Sequence, residues 1–90
     1  MEKTIITVVG RDTVGIIAKV CTYLAESKVN ILDISQTIVD GFFNMFMIVD
    51  ISDPTCTFDV LQNELQALGE ELGVQIRIQK NEIFEAMHQI

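Results

Sequence analysis

Ile31-Leu32-Asp33-Ile34-Ser35-Gln36-Thr37-Ile38-Val39-Asp40-Gly41-Phe42-Phe43-Asn44-Met45-Phe46-Met47-Ile48-Val49-Asp50-Ile51 occupies the middle of the chain and decides its fold. Two runs rich in β-branched and aromatic residues meet at Asp40-Gly41, and a two-residue Asp-Gly link is the strongest short-range hairpin signal. The tight turn also fixes register. Val39 is expected opposite Phe42, then Ile38 opposite Phe43, Gln36 opposite Met45, Ile34 opposite Met47 and Leu32 opposite Val49. Apart from Gln36 that face is apolar, so it is expected to lie against helices. The other face pairs Thr37 with Asn44, Ser35 with Phe46 and Asp33 with Ile48, mixing polar groups with large hydrophobes.

Working outward, the N-terminal side carries a β-branched run, Thr4 to Val9, apolar enough on both faces to be a central strand. A loop from Gly10 to Thr13 follows, then a helix from about Val14 to Ser27 with Ile17, Val20, Cys21 and Leu24 as its buried stripe. Asp12 or Thr13 is available as N-cap, and Asn30 as a turn residue tolerant of unusual backbone angles. On the C-terminal side Asp53-Pro54 breaks the chain, and Thr55 or Thr57 can cap a second helix. Phe58, Leu61, Leu65, Leu68 and Leu72 form its inner stripe and Gly73 ends it. Val74, Ile76 and Ile78 alternate with Gln75, Arg77 and Gln79, the pattern of a half-buried edge strand. Asn81 can cap a last short helix over 82–90, in which Ile83, Phe84, Met87 and Ile90 share a face. That tail is expected to cover the mixed outer face near Phe46 and Ile48, on its own chain or a neighbour's. The order is an α+β, ferredoxin-like βαββαβ sandwich: a four-stranded antiparallel sheet, two helices on one face, and a short C-terminal helix.

Ninety residues make one domain, 1–90. Hydrophobic residues are 49% of the chain, so apolar surface is expected to be hidden by a partner, most simply a second copy. The formal charge of −7 argues against nucleic acid, which needs a basic face. No run approaches the roughly 20 apolar residues of a membrane span, and Met1-Glu2-Lys3 does not open a signal peptide. A soluble cytoplasmic protein is the expectation.

The candidate chemistry is sparse. Cys21 and Cys56 form no CxxC motif, so neither a metal site nor a redox pair is expected; Cys21 reads as packing and Cys56 as an exposed turn residue. His88, the one histidine, has no evident carboxylate or cysteine partner. Asp33 and Asp50 share the outer face but sit diagonally, which leaves a small hydrolase as a weak third reading. An acylphosphatase-type loop is disfavoured because Asp12 would repel the phosphate. No catalytic set and no cofactor are expected.

The most ligand-like stretch is Val8-Val9-Gly10-Arg11-Asp12-Thr13-Val14-Gly15-Ile16-Ile17-Ala18. The first turn of a helix leaves amide donors unpaired and favours a carboxylate or other small anion. Gly15 would let a ligand or a neighbouring chain approach the backbone; equally, both glycines could serve turn geometry alone.

Gly10-x-Asp12-x-x-Gly15-Ile16-Ile17-Ala18-x-Val20, Leu24-Ala25-Glu26 and Asn30-Ile31-x-Asp33-Ile34-Ser35-Gln36-Thr37 together resemble the ACT domain. The resemblance extends to glycine-cleavage-repressor-like ACT repeats and, through Ile83-Phe84-Glu85-Ala86-Met87, to the single-ACT UPF0237 family. It implies a non-enzymatic regulatory homo-oligomer, most simply a dimer, binding an amino acid or similar small metabolite where two domains meet. The site it implies runs over Gly10, Arg11, Asp12, Thr13, Val14, Gly15 and Ile16, facing Asn30, Ile31 and Leu32 across the interface. Asp12 or the Asn30 amide could take an ammonium group; as ordinary structural residues Asp12 is a cap, Asn30 a turn and Arg11 a solvated charge. The common family loop has Arg-Pro before the glycine, where this chain has Thr13-Val14, so the helix entry is less rigidly preset. The alternative is a protein-interaction module that acts through the sheet face or tail helix without a small ligand.

Overall fold

Six elements follow one another in the computed structural model, which describes residues 3–11, 15–51 and 57–80. They are β1 (Lys3–Arg11), α1 (Ile16–Glu26), β2 (Asn30–Val39), β3 (Phe42–Asp50), α2 (Phe58–Leu72) and β4 (Val74–Lys80). The sheet order is β2-β3-β1-β4, and every neighbouring pair is antiparallel. β1 is therefore central and β4 an edge, as the apolar run and the alternating pattern require.

The hairpin forms because Asp40 and Gly41 both take positive φ, 55° and 81°, the backbone of the tight turn that matches strand twist. Pairing follows the expected register from Val39–Phe42 down to Asp33–Ile48. There it departs: Leu32 is skipped at an irregularity, Ile31 rather than Leu32 pairs with Val49, and Asn30 pairs with Asp50. The extra residue turns Ile31 toward the core, against which it packs, and leaves Leu32 41% exposed.

Alternate residues of β1 and β3 build the core with both helices. Ile6, Val8, Met45, Met47 and Val49 pack with Ile16, Val20 and Leu24 of α1 and Leu61 and Leu65 of α2, all buried. Each such side chain contributes about 1.5–3 kcal/mol on removal from water. The expectation that the matching face of β2 lies against the helices is corrected here. Ile34 is 43% exposed and Ile38 60%, although their β3 partners Met47 and Phe43 are buried. The helical layer is drawn toward the opposite edge, where α2 meets β4 so closely that a Cβ on Gly69 would stand 2.8 Å from the Val74 carbonyl oxygen.

Each helix end has its own cause. The Thr57 side chain accepts a hydrogen bond from the Val60 N–H at 3.3 Å and opens α2. Gly73, at φ 76°, closes it. α1 ends in two capping bonds, Val29 N–H to Leu24 O at 2.9 Å and Lys28 N–H to Ala25 O at 3.1 Å. Its left-handed residue is Lys28, φ 61°, not Asn30, which is already the first residue of β2. α1 begins at Ile16, two residues later than expected, and its most buried residues are Ile16, Val20 and Leu24, with Ile17 and Cys21 only half-buried. The expected cap residue Thr55, the Asp53-Pro54 break, Cys56 and the 82–90 tail lie outside the described residues.

Candidate functional site

β1 runs through Gly10 and Arg11, so these two are strand residues and not the start of a loop. The reason for Gly10 is steric: a Cβ there would fall 2.7 Å from the Val74 Cγ1 on the neighbouring strand. The turn geometry that was open for this glycine is not what the position requires. Gly15 differs. It occupies the N-cap position of α1 at φ 91°, in the left-handed region, and among the described residues nothing lies within 4 Å of where its Cβ would be. The Gly15 carbonyl accepts the first helical bond from the Lys19 N–H at 2.9 Å. Among the described residues no side chain caps this end, and no acidic residue lies in the first turn. Asp12 and Thr13 were expected as caps; the cap position belongs to Gly15, and Asp12, Thr13 and Val14 lie outside the described residues. Among the described residues, then, the first-turn amides of α1 have no side-chain cap and lie next to a residue without a side chain.

The other group of candidate residues is at the far end of the sheet. Gly10 pairs with Phe43, whereas Asn30 pairs with Asp50, seven residues further along β3. At about 3.4 Å per residue the two groups are roughly 24 Å apart along the strands. Within one chain Gly10, Arg11, Gly15 and Ile16 are thus not brought together with Asn30, Ile31 and Leu32.

A two-fold axis would bring them together. β2 carries Asn30 at one end and Val39 at the other, and Val39 lies on the same rung as Phe42 and Arg11. If two copies pair β2 against β2 antiparallel, the Asn30 end of each meets the Val39 end of its partner. That end also holds the start of α1.

Other chemistry finds little support among the described residues. Asp33 Oδ1 accepts a bond from the Ile34 N–H at 2.9 Å, and Asp33 is diagonal to Asp50, as the hairpin register implied. Among the described residues no cluster of three or more His, Cys, Asp or Glu is arranged to hold a metal ion. No helix among the described residues is long and apolar enough to cross a membrane. One feature of the sheet was missed by sequence reasoning: a shallow concavity of about 230 Å³ on the face opposite the helices, lined by Thr7, Val9, Ser35, Thr37, Asn44 and Phe46. Ser35, Thr37, Asn44 and Phe46 were legible as an outer face from the hairpin, but Thr7 and Val9 join them only through the non-local β1–β3 pairing.

Known proteins resemble the chain over nearly its whole length. Residues 2–79 match the model of the ACT domain. A UPF0237 protein of Bifidobacterium longum is 59% identical over 90 residues, covering all of both chains. The solved ACT domain protein from Streptococcus pneumoniae superimposes with a TM-score of 0.83 at 46% identity, over 93% of this chain and 94% of that one. A candidate glycine cleavage system transcriptional repressor shares the fold, with a TM-score of 0.78 at 22% identity over 88% of this chain and 45% of the other.

Proposed function

The chain belongs to the ACT domain family, and from that premise we propose that it is a non-enzymatic regulatory module binding an amino acid or similar small metabolite between two copies. The observation that carries this reading is β2. It is a ten-residue edge strand with no buried residue, and it exposes Leu32, Ile34, Ile38 and Val39 together with Phe42 at the turn. A long apolar edge without proline or lysine invites pairing with another strand. A second copy is the simplest partner, because the pairing is self-complementary about a two-fold axis.

That arrangement also completes the ligand site. The first turn of α1 in one copy would hold a carboxylate. Asn30 of the other copy, or Asp12, would take the ammonium group. Ile31 and Leu32 would flank the effector's side chain, and Gly15 would keep the approach open. The module would act in the cytoplasm, with neither nucleic acid nor membrane as partner.

A thermal-shift screen against the proteinogenic amino acids and common metabolites tests this. A ligand specific for the folded form adds about 2.7 kcal/mol of stability at a hundredfold excess over its dissociation constant. A hit that disappears in Asn30→Ala and Asp12→Ala supports the interface site. No hit in a folded, assembled protein favours the second reading, a protein-interaction module using the same exposed strand and Phe42 without a small ligand.

A further inference from the structure

The free edge of β2 has a fixed phase. In a two-residue hairpin the flanking residues, here Val39 and Phe42, form a hydrogen-bonded pair. Pairs of this kind alternate along an antiparallel ladder, so Val39, Thr37, Ser35 and Asp33 direct their backbone groups at β3. Ile38, Gln36 and Ile34 direct theirs outward. The Ile34 N–H accords with this phase, donating to Asp33 Oδ1 at 2.9 Å. The same three residues place their side chains on the helix side, where exposed Gln36 is the polar group between exposed Ile34 and Ile38.

The inference rests on the reading that two copies pair through β2, and it concerns how they align. Only residues that both point outward can exchange backbone bonds. Ile34, Gln36 and Ile38 of one copy therefore pair with the same set in the other, which keeps all helices on one side of the joined sheet. With Ser35 or Thr37 on the two-fold axis, Gln36 of each copy faces Ile34 or Ile38 of the other. With Ile34 on the axis it faces Leu32, and with Ile38 on the axis it faces Asp40 of the turn. With Gln36 on the axis the pattern matches itself over 34–38: Gln36 faces Gln36, Ser35 faces Thr37, and Ile34 faces Ile38.

We propose that Gln36 stands on the two-fold axis and fixes the register of the dimer, its side-chain amide pairing with that of the second copy. An amide holds both a donor and an acceptor, so two identical ones satisfy each other. Set against isoleucine, the same amide loses hydration without gaining a partner. A single polar residue on an apolar seam sets alignment between paired helices in the same way. As the copies join, the Ile38 carbonyl of one replaces Asp33 Oδ1 on the Ile34 N–H of the other. The register also bears on the ligand site. Asn30 lies six positions from the axis and Val39 three. Asn30 of the second copy therefore reaches about 10 Å past the rung of Val39, Phe42 and Arg11, the end from which the chain passes to α1.

Isotope-filtered NMR on an equal mixture of labelled and unlabelled full chain tests the alignment. An Hα–Hα contact between Ser35 of one copy and Thr37 of the other is expected, since opposed residues that exchange no backbone bonds lie closest. Gln36→Leu should dimerise about as tightly as the wild type but add Ser35–Ser35 or Thr37–Thr37 contacts as the register loosens. Gln36→Glu sets two carboxylates on the axis and should raise the dissociation constant about tenfold or more by sedimentation. Three results would overturn the role of Gln36 while leaving the β2 dimer standing: a Gln36→Glu dimer as tight as the wild type, a single Ser35–Thr37 register in Gln36→Leu, or Ser35–Ser35 or Thr37–Thr37 contacts in the wild type. Wild-type protein with no intermolecular contact along β2 would overturn the pairing itself, and the register with it.

Discussion

The sheet has two edges, and they are built in opposite ways. β4 buries Val74 and Ile78 beneath α2, turns Gln75, Arg77 and Gln79 to solvent, and is entered through Gly73 in the left-handed conformation. β2 buries none of its ten residues and exposes its apolar side chains, and it is entered through a left-handed lysine, Lys28. One edge is finished within the chain and the other is not. In the proposed dimer this apolar, uncovered strand is where the second copy adds, and the two ends of the candidate site converge across that edge.

The largest effect that can break this comparison is expected from charge on β2. Ile34→Lys with Ile38→Lys places four lysines about the proposed two-fold axis. The dimer dissociation constant should rise at least a hundredfold by sedimentation, equivalent to about 2.8 kcal/mol at roughly 1.4 kcal/mol per tenfold. The matched change on the other edge, Gln79→Lys, should leave assembly untouched. Next in size is the packing that finishes β4. Gly69→Ala drives a methyl against the Val74 carbonyl and Ile76, and chemical denaturation should show a loss of about 1–3 kcal/mol without loss of the dimer. Smallest are the two strand entries. Gly73→Ala, at φ 76°, should cost about 1 kcal/mol, whereas Lys28→Gly, at φ 61°, should gain up to about 1 kcal/mol in the same titration.

Local chemistry made most of the fold legible. Asp40-Gly41 set the hairpin and its register, Thr57 and Gly73 bounded α2, and the alternation of Val74, Ile76 and Ile78 marked an edge. What escaped depends on partners distant in sequence. Gly10 resembles a turn glycine until Val74 is seen to occupy the space of its missing side chain. The Leu32 irregularity follows from Ile31 turning inward at Val49, which no spacing within β2 announces. Most instructive is Ile34, Gln36 and Ile38. The pattern correctly put them on the helix side, yet a binary pattern cannot say how far the helices extend over it. Of the candidate site, a turn at Gly15 opening α1 was readable from residue types, but its cap was not, because Gly15 itself takes the position assigned to Asp12 or Thr13.

Hydrogen exchange along β2 tests the central claim most directly. The amides of Leu32 to Ile38 that do not bond to β3 should exchange slowly in concentrated protein and speed up on dilution as copies separate. In Ile34→Lys with Ile38→Lys they should be fast at every concentration. Fast exchange of those amides in wild-type protein at concentrations where it sediments as an oligomer would place the interface elsewhere and contradict the account.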